Sequence, residues 1–131
     1  MGGRQSVSRQ DTLQGSSVKV KSHQAKEYVS SEEFRARFEA SMGTNKLMVI
    51  EIGTRWCGFC AKMQPAMKKF ATDYTDVEFI KINADESPDV ARKFGVRVYP
   101  TFILTKRGEK VDEVEGASEE ILLKKIEQHR A

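Results

Sequence analysis

A chain of 131 residues fits one domain with room for a real hydrophobic core. At 39% apolar and 31% charged residues it has the composition of a globular protein, and no apolar run approaches the roughly 18–20 residues needed to cross a bilayer. Its net charge of +3 is unevenly placed: Arg4, Arg9, Lys19, Lys21 and Lys26 are opposed only by Asp11 in the first 26 residues, leaving the rest close to neutral. A basic tail on a neutral body argues against nucleic-acid binding, which calls for a basic stripe on folded elements. Two cysteines are too few for a disulfide scaffold, and with both histidines remote from them (His23 and His129) no metal site is expected. The N-terminus lacks the apolar stretch of a secretory signal, so a cytoplasmic location is expected.

Residues 1–25 are rich in Ser, Gln, Gly and basic side chains and read as a flexible basic extension; residues 26–131 read as the folded domain. A short strand is expected near Lys26–Val29. Ser30 followed by Glu33 forms a capping box, and Phe34, Phe38 and Met42 mark one buried stripe of a helix ending near Gly43. Leu47–Ile52 is an apolar run broken only by Glu51, the pattern of a strand covered on both faces. Met63, Met67, Phe70 and Tyr74 mark a second helix, interrupted early by Pro65. Val77–Ile82 reads as another buried strand. Ser87-Pro88 starts a third helix, with Val90, Ala91 and Phe94 facing inward and Gly95 at its end. Thr101–Thr105 and Lys110–Val114 read as a hairpin joined through Lys106–Glu109. After Gly116, Ser118 starts a last helix with Ile121, Leu122 and Ile126 inward. Strands alternating with helices and then a hairpin imply an α/β fold, a central mixed β-sheet flanked by helices on both faces.

The run Trp56-Cys57-Gly58-Phe59-Cys60 carries the chemistry. A first cysteine placed where a strand gives way to a helix meets unpaired N–H groups and the positive end of the helix dipole. Both stabilise a thiolate, the reactive form. A second cysteine one turn on lies beside it, so the pair can cycle between dithiol and disulfide. Cys57 is then the nucleophile and Cys60 the resolving thiol. Two structural cysteines, or half of a metal site, is the alternative that spacing alone leaves open; Cys-x-x-Cys near a βαβ pattern is a general signature of thioredoxin-like redox motifs.

Here the sequence resembles the thioredoxin family. Lys46–Ile52 followed by Trp56–Cys60 is similar to the family signature, Pro65 to its active-site helix proline, Val98-Tyr99-Pro100-Thr101 to its cis-proline loop, and Gly116-Ala117 to its late glycine turn. The stretch Asp85–Ala91, the Asn45-Lys46-Leu47 segment, Lys106-Arg107-Gly108 and the Met1-Gly2-Gly3 start are most similar to plant h-type thioredoxins with N-terminal extensions. The resemblance implies the thioredoxin fold over roughly residues 26–131 and the activity of a protein-disulfide reductase. It implies no bound cofactor, with electrons supplied by an NADPH- or glutathione-linked partner, thioredoxin reductase or a glutathione/glutaredoxin system. It places Glu51 where the family keeps a buried acid, usually Asp, a proton acceptor or donor for Cys60 directly or through water. Lys81 matches a family lysine near that acid. Trp56, Gly58, Phe59, Tyr99, Pro100 and Gly116 fall on the family's surface for disulfide-containing target proteins, with the backbone of Tyr99 left to pair with an extended substrate segment.

Three departures stand out. Phe59 replaces the usual proline between the cysteines, restoring an N–H donor and removing a rigid ring; the expectation is a potential less reducing than the about −270 mV of thioredoxin itself. Arg55 adds positive charge beside the motif. Ala61 stands where a basic residue is common, although Lys62 follows. Separately, Met1-Gly2-Gly3-Arg4-Gln5-Ser6 fits the pattern for N-myristoylation at Gly2. One acyl chain binds membranes marginally, so reversible peripheral association aided by the tail's basic residues is expected. The competing reading of the domain is a peptide-binding or holdase module that keeps the fold but does little redox work.

Overall fold

The computed structural model describes residues 28–131. The N-terminal extension and Gly2 lie outside the described residues. Four helices and four strands follow in the order α1 (Ser31–Ser41), β1 (Leu47–Gly53), α2 (Gly58–Asp73), β2 (Val77–Asn83), α3 (Pro88–Lys93), β3 (Thr101–Lys106), β4 (Glu109–Glu115) and α4 (Glu119–His129). The described part of the strand expected at Lys26–Val29 is a single parallel bridge, Tyr28 to Lys81, with the Val29 N–H donating to the Lys81 carbonyl at 2.9 Å.

The sheet is mixed, in the order β2-β1-β3-β4. β1 runs parallel to β2 and antiparallel to β3, which pairs antiparallel with β4. All seven residues of β1 are buried, because it is central and covered on both faces. Side chains alternate across it. Leu47 and Val49 join Met63, Met67 and Phe70 of α2 and Leu122 and Ile126 of α4 in one core. Met48, Ile50 and Ile52 join Phe34 and Phe38 of α1 and Val90 of α3 in the other. Each such fully buried Leu, Ile or Phe contributes about 1.5–3 kcal/mol relative to exposure.

Local signals set the ends of the elements. The Ser30 hydroxyl accepts from the Glu33 N–H at 3.0 Å, and the Ser118 hydroxyl accepts from the Ile121 N–H at 3.3 Å. Arg107 and Gly108 both have positive φ (53° and 81°), as a two-residue type I′ hairpin turn requires. Some expectations shift. Met42 is the C-cap of α1 and is exposed, its side chain lying against Gly108. Ile121 is exposed in the first turn of α4. Ser87 stands at the N-cap of α3 without a side-chain capping bond. Pro65 does not interrupt α2, which runs through it with the proline exposed on its outer side.

Candidate active site

β1 delivers the chain to the motif, and α2 begins at Gly58, immediately after Cys57. Cys57 is the N-cap: its backbone is extended, and its Sγ accepts from the Cys60 N–H at 3.1 Å. The first turn of α2 carries no acidic residue that would oppose a thiolate. Cys57 and Cys60 are joined as a disulfide, with their Cα atoms 5.2 Å apart. Both are nearly buried, at 9% and 3% exposure, so only a thin edge of the bond meets solvent.

Around that edge the side chains are large and open. Trp56 is 70% exposed and Phe59 62%, so neither is a core aromatic. The Trp56 indole donates to the Asp85 carboxylate at 2.8 Å and meets the Tyr99 ring edge-on at 6.1 Å, which fixes its orientation. Tyr99–Pro100 is a cis peptide. The Tyr99 backbone N–H and carbonyl have no backbone partner among the described residues. The Gly116 N–H donates to the Pro100 carbonyl at 2.8 Å, and its φ of 98° is one that glycine adopts without strain. Gly58 sits exposed at the first position of α2, with open space where a side chain would project.

Glu51 lies on the α2 face of β1, in register with Lys81 of β2 and Phe102 of β3. It is 1% exposed, and neither carboxyl oxygen has a hydrogen-bond partner among the described residues. Burial pushes its pKa up to about 7, against the pull of the Lys81 charge. Lys81 is itself buried at 6% exposure; burial pushes its pKa down, Glu51 pushes it up, and the net shift is downward. A cavity of about 250 Å³ beside the disulfide is lined by Tyr28, Thr54, Arg55, both cysteines, Ala61, Gln64 and Lys81.

Three contributors carry little signal in the sequence. Gly53 follows Glu51 on the same face, and a Cβ there would stand 2.5 Å from the Cys60 Sγ, so the Cys60 sulfur rests against bare backbone. A glycine ending an apolar strand is a known mark of such close approach. Asp85 reaches Trp56 from the turn after β2. Tyr28 arrives through its bridge to Lys81 and packs its ring against both Lys81 and Arg55.

A bonded cysteine pair at a helix N-terminus, edged by exposed aromatics and backed by a buried acid, defines the class: a thiol–disulfide oxidoreductase. The thioredoxin family profile matches residues 25–128. The chain is 38% identical over 104 residues to thioredoxin H2 of Arabidopsis thaliana, an alignment covering 79% of this chain and 78% of that protein. It is 38% identical to thioredoxin H7 of the same plant, covering 79% and 81% of the two chains. The crystal structure of thioredoxin NaTrxh from Nicotiana alata is similar at a TM-score of 0.77 and 44% identity, covering 78% of this chain and 89% of that one. The chain belongs to the thioredoxin family, and its activity is that of a thioredoxin-type protein-disulfide reductase.

Proposed function

We propose that Cys57 is the attacking thiolate and Cys60 the resolving thiol of this reductase. What carries the reading is the placement of Cys57 at the N-cap of α2 with its Sγ on the Cys60 N–H, because an N–H donor and the helix dipole favour sulfur as the anion. The Cys57 thiolate attacks one sulfur of a target disulfide, and the other sulfur leaves as a thiolate that takes a proton. Cys60 gives its proton to the Glu51 carboxylate, directly or through water, and attacks the Cys57 sulfur of the mixed disulfide. The second target sulfur leaves, and two electrons have passed from the cysteine pair to the target. The exposed faces of Trp56 and Phe59, the free backbone of Tyr99 beside Pro100, and the turn at Gly116 receive the target as an extended segment. Gly58 leaves the approach to the Cys57 sulfur open.

An insulin-reduction assay tests the assignment. Cys57→Ser abolishes turnover, whereas Cys60→Ser stops at a trapped mixed disulfide; turnover that survives Cys57→Ser rejects Cys57 as the nucleophile. No cofactor is bound in this reading. The pair is recharged by thioredoxin reductase with NADPH or by a glutathione/glutaredoxin system, and multiple-turnover assays with each purified donor distinguish them.

The tail supplies a separate reading: residues 1–25 are an extension to a thioredoxin domain of residues 26–131. Gly2 fits the acylation pattern, and the basic residues of the extension supply a weak electrostatic second signal. A cytoplasmic protein in reversible, salt-sensitive contact with membranes follows. Gly2→Ala abolishes that fraction; membrane partition unchanged by Gly2→Ala rejects acylation.

A further inference from the structure

Glu51 and Lys81 are cross-strand neighbours in register on one face of the sheet, both buried, yet they form no ion pair and both Glu51 oxygens remain without partners. In a low-dielectric interior an acid and an amine so placed attract strongly, so something must hold the ammonium elsewhere. The ring of Tyr28 does this geometrically: the Lys81 Nζ lies over it, 4.7 Å from its centroid. That is an ordinary cation–π distance. Tyr28 is anchored for the task, because its backbone bridges to Lys81 itself and the next residue, Val29, donates to the Lys81 carbonyl at 2.9 Å. The Arg55 guanidinium also stacks on the ring, 4.7 Å from its centroid, and is tied to Glu86 at 3.4 Å. All three side chains line the cavity beside Cys57 and Cys60.

We propose that Tyr28 is a positioning residue that holds the Lys81 ammonium away from Glu51, keeping the buried carboxyl free to exchange its proton with Cys60. The inference rests on the proton-transfer role proposed for Glu51. The groups facing Glu51 are few. β2 presents Lys81 and the segment before α1 presents Tyr28; the charge of Arg55, in the loop after β1 and paired with Glu86, is felt by Tyr28 and Lys81. On the side of the cavity that Lys81 and Tyr28 line, α2 and its N-cap add only Cys57, Cys60, Ala61 and the uncharged Gln64, and β3 sets the apolar Phe102 in register with Glu51. Lys81 is the one cation of this set that shares a buried strand register with Glu51, so its position sets how readily the acid keeps a proton.

The experiment titrates Glu51 by carboxyl NMR in the disulfide form of the full chain, where the cysteines do not ionise. Tyr28→Phe keeps the ring and leaves the midpoint unchanged. Tyr28→Leu removes the ring, lets Lys81 turn toward Glu51, and lowers the midpoint by about one unit or more, the size expected when an opposite charge moves into contact. In a Lys81→Met background the same Tyr28→Leu change moves nothing. An unmoved midpoint in Tyr28→Leu, or an equal shift with Lys81 absent, overturns the proposal. The pH profile of insulin reduction provides the second readout and moves to lower pH with the midpoint. If Glu51→Gln leaves turnover unchanged, the catalytic role of Glu51 fails while the titration still decides what Tyr28 does. Circular dichroism and the Lys81→Met single variant, whose Glu51 midpoint rises, separate these outcomes from loss of fold.

Discussion

At the scale of single residues, Glu51 is the position where the demands of folding and chemistry conflict. A carboxyl with no hydrogen-bond partner on the buried face of the central strand opposes folding once it ionises. The folded pKa of about 7 lies above the ordinary 4.5, so the native state holds this proton through a window in which the unfolded chain has lost it. Below pH 4.5 both states are protonated and the position makes no pH-dependent contribution. As pH rises from there the native state is progressively disfavoured, and above pH 7 the loss is complete, at roughly 3 kcal/mol for a shift of this size. Glu51→Gln cannot ionise. Urea denaturation of the disulfide form shows the stability of the variant relative to the parent rising by about 3 kcal/mol from pH 4.5 to pH 8, on top of a pH-independent cost for the buried amide's own missing partners. In the same variant, turnover falls by roughly 10²-fold if the carboxyl moves the Cys60 proton. Stability gained with rising pH together with activity lost marks a residue kept for its reaction; a stability difference that stays the same from pH 4.5 to pH 8 would show that the carboxyl is solvated in solution.

At the scale of elements, the last helix is fastened by charge as well as by Leu122 and Ile126. Asp112 on β4 accepts from Lys125 at 2.8 Å and lies 2.9 Å from the His129 Nε2, both on α4. Partial burial alone would raise its pKa, but the hydrogen bonds from Lys125 and His129 outweigh that and hold it at about 2. A depressed carboxyl pKa stabilises the fold above the ordinary value of 3.8 and loses that contribution as pH falls through about 2. Asp112→Asn therefore lowers stability by about 1–2 kcal/mol near pH 6, with the difference vanishing as both proteins are acidified toward pH 2. Denaturation at the two pH values checks it.

These elements were legible in the sequence where one physical signal dominates locally. Ser30 with Glu33, Arg107-Gly108 and the continuous apolar run of β1 each declare a cap, a turn and a buried strand within a few residues. Met42 and Ile121 misled because periodicity marks a helix face without telling where the helix overhangs the sheet. Tyr28, Asp85 and Gly53 matter through partners 53, 29 and 7 residues away, a proximity that only the folded register creates.

At the scale of the whole molecule, function is an equilibrium between dithiol and disulfide forms, and Phe59 is expected to act on it through the backbone. Gly58 and Phe59 occupy the first two positions of α2, where N–H groups have no acceptor within the helix. The Cys57 sulfur, as N-cap, already takes the Cys60 N–H. With phenylalanine at 59 a further N–H remains in the same turn; with proline it would be gone. A donor near the thiolate stabilises the dithiol form, and a more stable dithiol makes the disulfide a better oxidant. Phe59→Pro removes that donor and some 62% exposed aromatic surface, without emptying the core. If the lost stabilisation is worth about 1.4 kcal/mol, the potential falls by about 30 mV, to a more reducing value. Equilibration of both proteins against glutathione or dithiothreitol reads that difference directly. A potential that stays the same or rises in Phe59→Pro would mean that the N–H of residue 59 does not reach the sulfur, leaving Phe59 a role only in target contact. A fall in potential with a weaker apparent KM for insulin would assign it both.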